Sequence, residues 1–125
     1  MKHPENLPRP VGYKILVVVP KFEDTDPTAA RARALGIEIA NNAARVEEAA
    51  SVVLRVVAIG PEAYKDRSRF PDGPWCKVGD YVLTRAYSGT RFFVENADKS
   101  KIEYRFLNDD AIEGVTFDIT GISRI

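Results

Sequence analysis

At 125 residues the chain has room for one domain with a single core and one protruding element. Apolar residues make up 45% and charged residues 29%, which reads as a folded globular protein and excludes a disordered or membrane-embedded one. Lys+Arg and Asp+Glu number 18 each, and a balance near zero gives no net pull toward a phosphate backbone, which argues against a dedicated nucleic-acid binder.

The opening segment, MKHPENLPRPVG, carries three prolines and forms an extended lead-in. Tyr13 to Val19 (YKILVVV) is rich in β-branched residues, stops at Pro20 and predicts a strand. Lys14 among its apolar neighbours suggests that one face is less buried than the other. Its run Ile15 to Val19 is the longest continuous apolar stretch, far too short to span a bilayer. No charged-then-apolar stretch resembling a signal peptide opens the chain. The single cysteine, Cys76, rules out an internal disulfide and fits a reducing cytosol, so the expected compartment is a cytoplasm.

Lys21 to Ser51 is different material, rich in alanine and charge and without a strand pattern. Asp26-Pro27 is a helix-start signal, TAARARAL favours helix, and Gly36 stands where a C-terminal cap would. A second start at Asn41-Asn42 leads into AARVEEAAS. Helices of about ten residues are marginal alone in water, so residues 21–51 read as a mobile or partly helical loop. Connections that long are usually functional.

Val52 to Ile59 (VVLRVVAI) predicts a second strand, closed by Gly60-Pro61. Residues 61–77 hold three of the eight prolines and Asp72-Gly73, and predict a turn or an extended hairpin. Val78-Gly79-Asp80 turns into a strand over Tyr81 to Arg85, and Ser88-Gly89 turns into Thr90 to Glu95 (TRFFVE). In IEYRFL, Ile102, Tyr104 and Phe106 share one face while Glu103 and Arg105 share the other. A last strand is predicted over Ala111 to Phe117, followed by a tail, residues 118–125. Short strands at regular spacing predict an all-β fold, a small antiparallel barrel or sandwich.

The catalytic inventory is poor. His3 is the only histidine and Cys76 the only cysteine, and an exposed terminal His with a buried structural Cys outweighs a dyad. A zinc site would need three or four Cys or His ligands, and no phosphate-binding glycine loop or nucleophile elbow is present. The adjacent acids Asp109-Asp110 and Glu47-Glu48 read as solvated charges. No enzyme, metal or cofactor is expected. Ile37 and Ile39, two apart beside Gly36, suit contact better: in an extended loop both point one way and Glu38 the other. They either fill apolar pockets on a partner or pack back onto the chain's own body.

The order of these segments resembles the chaperonin-10 (GroES-type) co-chaperonin family. RPVGYKILVVV looks like its opening strand, and GIEI (Gly36 to Ile39) like its mobile-loop glycine and apolar tripeptide. VVLRVVAIG is similar to the strand ending in V-x-A-V-G, and Lys77-Val78-Gly79-Asp80 before YVL matches K-V-G-D-x-V-L, the most specific motif here. YSGTR (Tyr87 to Arg91) is similar to Y-G-G-T-K, and LNDDAIEGV to the closing segment. FPDGPWCKVGDYVL, YSGTRF, LNDDAIE and GISRI look especially like co-chaperonins encoded by tailed phages.

The resemblance implies a GroES-like β-barrel of one domain, residues 1–125, with a mobile loop at 21–51 and a roof hairpin at 61–77. It implies a ring, typically a heptamer, in which the last strand (Ala111 to Phe117) pairs with a neighbour's first (Tyr13 to Val19). That ring would cap a chaperonin-60 (GroEL-type) double ring in the host cytoplasm and enclose unfolded substrate proteins. ATP would be bound by the chaperonin, not by this chain. Gly36, Ile37, Glu38 and Ile39 would be the chaperonin-binding residues. Tyr87 corresponds to an aromatic facing the chamber, with an ordinary barrel-packing tyrosine as the alternative. The chain departs from the family in its long excursion, in Glu38 at the middle of the tripeptide and in its extra tail. A second reading is a virion structural or decoration protein built on the same fold.

Overall fold

A computed structural model describes residues 7–20, 51–97, 99–119 and 122. Among these residues the fold is nearly all-β: six strands form one antiparallel sheet, with a single 3-10 turn at Asp109–Ala111. The strands are β1 (Lys14–Val18), β2 (Val53–Ile59), β3 (Tyr81–Leu83), β4 (Thr90–Glu95), β5 (Lys101–Asn108) and β6 (Gly114–Thr116). Their spatial order is β4-β5-β1-β2-β3-β6, so β4 and β6 are the two edges and the sheet does not close on itself. No helix among the described residues is long and apolar enough to cross a membrane.

β1 lies in the middle of the sheet. It pairs with β2 on one side and β5 on the other, Leu16 meeting Ala58 and Phe106 across the two ladders. Ile15, Val17 and Val19 point to one face, and Leu16 and Val18 to the other; all five are buried. A strand buried on both faces reads as a continuous β-branched run, which is what KILVV is. Lys14 stays accessible because it sits at the strand's end, where its ammonium reaches Asn108 Oδ1. The expected less-buried face of this strand is therefore absent.

Two corrections concern the ends of the sheet. Both edges of β1 are hydrogen-bonded within the chain, so this strand has no open edge for a neighbour's last strand. The last strand is also shorter than Ala111 to Phe117. The 3-10 turn over Asp109–Ala111 takes its first residue, because the chain must cross from β5 to the far side of β3 before pairing again. Asp109 is buried there and its Oδ2 accepts the backbone N–H of Tyr64 at 3.0 Å.

The first core layer combines Ile15, Val17, Leu54, Val56, Val82 and Leu107 from the sheet with Ala63, Tyr64, Phe70 and Cys76 from residues 61–77. Of the two alternatives expected for residues 61–77, the turn is the one found: the segment contains no strand and forms successive turns that fold down onto the core. The apolar residues spaced through it explain why. Phe70 meets Tyr64 and Trp75 edge-on, both at centroid separations of 4.9 Å, and each buried aromatic removes a large area from water. The opposite face of the sheet buries Leu16, Val18, Ile102 and Tyr104, with Leu7, Phe92, Val94 and Phe106 packed against them.

The turn from β2 into residues 61–77 depends on Gly60. Its N–H donates to the Lys14 carbonyl at 2.8 Å, and a Cβ there would meet the carbonyl oxygens of Gly12 and Lys14 at 2.5 and 2.6 Å. β2 also bulges: Leu16 faces Ala58 and Val17 faces Val56, leaving Val57 as the extra residue.

Glu103 and Arg105 share a face of β5, as their alternation predicts, but that face is buried too. Arg105 is fully buried and its Nε donates to Glu103 Oε2 at 2.7 Å, while its Nη1 donates to the Ser51 carbonyl at 3.2 Å. Removing one member of a buried pair strands the other charge, whereas removing both costs little. Glu103→Ala should therefore lower unfolding free energy by about 3–5 kcal/mol, and Glu103→Leu with Arg105→Met by clearly less. Urea denaturation of the three proteins checks the difference.

Candidate functional site

The predicted contact residues Gly36, Ile37, Glu38 and Ile39 lie outside the described residues, as does His3. What the structure defines is the platform from which residues 21–50 depart and to which they return. On the departing side Val19 and Pro20 are buried, and the Val19 N–H donates to the Glu103 carbonyl at 2.9 Å. On the returning side Ser51 is fully buried and its hydroxyl donates to the Val53 carbonyl at 2.9 Å. The Arg105 guanidinium, extending from β5, holds the Ser51 carbonyl directly. Both ends of the excursion thus converge on one strand, through the backbone of Glu103 and the side chain of Arg105. The sequence signal for this was present in the two charges inside an otherwise apolar strand, but nothing in it indicated Ser51 as the partner.

The motif Lys77-Val78-Gly79-Asp80 is a turn closed on itself. Asp80 Oδ2 accepts the Lys77 N–H at 3.0 Å and the Asp80 N–H reaches the Lys77 carbonyl at 3.1 Å. Gly79 N–H and the Asp80 carbonyl then bond the two sides of Val56, each at 2.9 Å, which fixes β3 against β2. The residue types in the motif are those such a turn needs: an acid to accept the first amide and a glycine at φ +96°.

Tyr87 sits in the turn between β3 and β4, 57% exposed, with its backbone at φ +60°. It is not a core tyrosine, so the barrel-packing alternative fails. The turn is held by Ser88, whose N–H reaches the Arg85 carbonyl at 3.2 Å, and by Gly89, where a Cβ would meet Leu107 at 2.5 Å. A bulky residue in the left-handed region costs about 1–3 kcal/mol, which the seated glycine and the Ser88 bonds offset. The Arg91 guanidinium stands 5.8 Å from the Tyr87 ring centre. The outcome is an aromatic ring displayed from a stiff turn.

Two backbone edges are open as well. At one side of the sheet β6 pairs, among the described residues, only with β3, and Phe117 just beyond it is 92% exposed. Because the Thr84 N–H bonds the Val52 carbonyl at 2.9 Å, Tyr81 and Leu83 turn their backbone groups to β6; Gly114 and Thr116, across from them, turn theirs to β3, and Val115 turns its own outward. At the other side β4 pairs, among the described residues, only with β5. The lead-in Leu7 to Val11 joins no ladder, and it turns into β1 through a Lys14 N–H to Val11 carbonyl bond of 3.1 Å.

Cys76 is buried, with its sulfur 3.5 Å from the Tyr64 hydroxyl. Burial pushes the Cys76 thiol above its ordinary value, outweighing the Tyr64 hydrogen bond that lowers it, and Asp80 raises it further. Burial, helped by the contact with Cys76, pushes the Tyr64 phenol well above its ordinary value. A thiol held protonated and out of solvent is a packing residue, not a nucleophile. No group of three potential metal ligands occurs among the described residues.

Folded-state values raised above the unfolded ones mean that ionisation favours unfolding. The stability carried by Cys76 and Tyr64 is complete below their ordinary values of 9.0 and 10.0 and is lost as pH rises beyond them toward the raised values. Thermal melts from pH 7 to 10.5 should show Tm constant at first and then falling. Tyr64→Phe should reduce the steepness of the alkaline fall.

No protein-family model matches the sequence, and no curated protein matches it.

Proposed function

We propose that this chain is a co-chaperonin of the chaperonin-10 type, a ring-forming lid that docks on a chaperonin-60 double ring through residues 36–39. The observation that carries the reading is the anchoring of a thirty-residue excursion, residues 21–50, at both ends on one buried strand. A long segment with fixed ends can reach a partner and let go without disturbing the body it departs from. On this reading the six strands form an open-edged, GroES-like barrel that residues 61–77 cap, and Tyr87 is displayed toward the enclosed chamber. The partners are then the chaperonin, further copies of this chain and unfolded proteins, in a cytoplasm.

The ring contact follows from what the sheet leaves open. β1 is committed within the chain, so the neighbour must offer something else to the outward groups of Val115. The lead-in suits this. In an extended segment the amides of Leu7, Arg9 and Val11 lie along one side, and the other side belongs to Pro8 and Pro10, which have no N–H. Such a strand pairs along one edge only, and so adds to a sheet and ends it.

Energetically the loop is suited to reversible capture. Burying two isoleucines contributes about 3–6 kcal/mol, while ordering each loop residue costs about 1–2 kcal/mol, so one loop binds weakly. Several loops on one ring raise the overall affinity about 10²–10⁴-fold.

Light scattering should show a ring, expected as a heptamer. Arg9→Pro, which removes the central amide of the lead-in, should yield smaller species with an unchanged far-UV spectrum. The double variant Ile37→Ala, Ile39→Ala should keep the ring and lose ATP-stimulated co-sedimentation with chaperonin-60, each truncation costing about 2 kcal/mol per loop. Glu38→Ala should matter less. Capture of the double variant equal to wild type would remove the docking assignment, and an intact ring that never binds chaperonin would favour the virion reading.

A further inference from the structure

We propose that β4 is a second, two-fold assembly edge, which pairs antiparallel with β4 of another copy of this chain in a register centred on Phe93. This goes beyond the lid reading and uses the opposite side of the sheet from β6, so neither contact depends on the other.

The phase of the ladders determines which groups β4 leaves open. Because the Val19 N–H bonds the Glu103 carbonyl, the odd-numbered residues of β5 turn their backbone groups toward β1 and the even-numbered ones toward β4. Across that second ladder Thr90, Phe92 and Val94 face Phe106, Tyr104 and Ile102, and the bond from Asn96 N–H to the Ser100 carbonyl, 2.8 Å, continues the phase. The backbone groups of Arg91, Phe93 and Glu95 therefore point away from the sheet. No other strand lies beside them among the described residues. All three are exposed, and Phe93 is 61% exposed, unusual for a phenylalanine on an edge that has no cover.

The order of these three residues is self-complementary. Centring an antiparallel pair on Phe93 sets Arg91 against the second copy's Glu95, Phe93 against Phe93, and Glu95 against Arg91. The other nearby registers that keep the hydrogen bonds in phase, centred on Phe92 or Val94, place a charge against Phe93 and lose both ion pairs. Within its own sheet Arg91 lies across from Arg105, another cation, and the nearby Glu103 is already bonded to Arg105. A carboxylate from a second copy answers that imbalance, although Glu95 also has Lys101 across from it. The opposite face agrees with the same register. There Phe92 meets the second copy's Val94, and both are half-buried at the margin of the apolar layer that holds Tyr104. Phe92 already stacks on Tyr104 and Phe106, at 5.7 and 5.2 Å between centroids, so the layer would run on into the second copy.

A six-residue edge is smaller than an ordinary stable interface, so a lone pair should form only at high concentration and gain strength when several edges act together. Sedimentation velocity of the intact chain over a wide concentration range should show a doubling of mass above whatever unit the β6 edge builds. Arg91→Glu and Glu95→Arg should each raise the half-association concentration about tenfold or more, because like charges then face each other twice. An equimolar mixture of those two variants should regain the doubling, since one presents two acids and the other two arginines on the pairing edge. Matching thermal melts would establish that both variants are folded. Failure of the wild type to double, doubling by either single variant as readily as wild type, or a mixture no better than its parts would overturn the pairing. So would growth without limit, which would place β4 on β6 of the next copy. The mass of the smallest unit reads the ring separately from the doubling.

Discussion

The position of β1 is the constraint on which the remaining structure depends. It is bonded along both edges and buried on both faces, so every other element is placed relative to it. A strand with no exposed surface tolerates no slip in register, because a shift of one residue would exchange two sets of buried side chains at once. β5 and β2 inherit their registers from it, and β4 and β3 inherit theirs in turn. The bulge at Val57 and the contact of Gly60 with the carbonyls of Gly12 and Lys14 adjust that frame where the chain must leave it.

The same strand leads directly to residues 21–50, and the buried ion pair on β5 lies where they return. Glu103 and Arg105 would be a poor choice for stability alone, since burying two charges sacrifices hydration that their attraction scarcely recovers. What they add is direction. Arg105 carries donors to spare after meeting Glu103, and one of them fixes the Ser51 carbonyl. An apolar pair of equal volume would fill the space and hold nothing. This pair converts a packing position into an anchor for the excursion on which the proposed docking depends.

The two edges of the sheet have different characters. β6 is three residues long, with one residue, Val115, turning its backbone groups outward, and the proline-spaced lead-in offers amides along one side. β4 is twice that length and carries charges in an order that matches its own reverse. An even number of antiparallel strands puts the two edges in opposite directions, so each can be used without interfering with the other. The chain's near-zero net charge is compatible with such contacts, because opposite charges can be arranged locally without a large repulsion between copies.

Much of the secondary structure could be read before the fold was known. KILVV, VLRVVAI and TRFFVE declare themselves by β-branched and aromatic content, and IEYRFL by its alternation, because these properties are local to each strand. The turns at Lys77 to Asp80 and at Ser88-Gly89 were equally legible, since an acid, a serine and glycines bond the backbone within a few residues. Three features were not. Glu103 and Arg105 look like a polar face until their mutual neutralisation lets them be buried, and that depends on Ser51, more than fifty residues away. Residues 61–77 read equally as turns or as a hairpin, and the turns win because Tyr64, Phe70 and Cys76 bury more by folding onto the core than a free hairpin could. The position of Gly114 to Thr116 beside β3, with β1 closed on both sides, depends on which strands compete for each edge. Composition and periodicity determined that these segments are strands. Strand order, the open edges and the buried charges are products of long-range pairing, whose energies no local window of sequence contains.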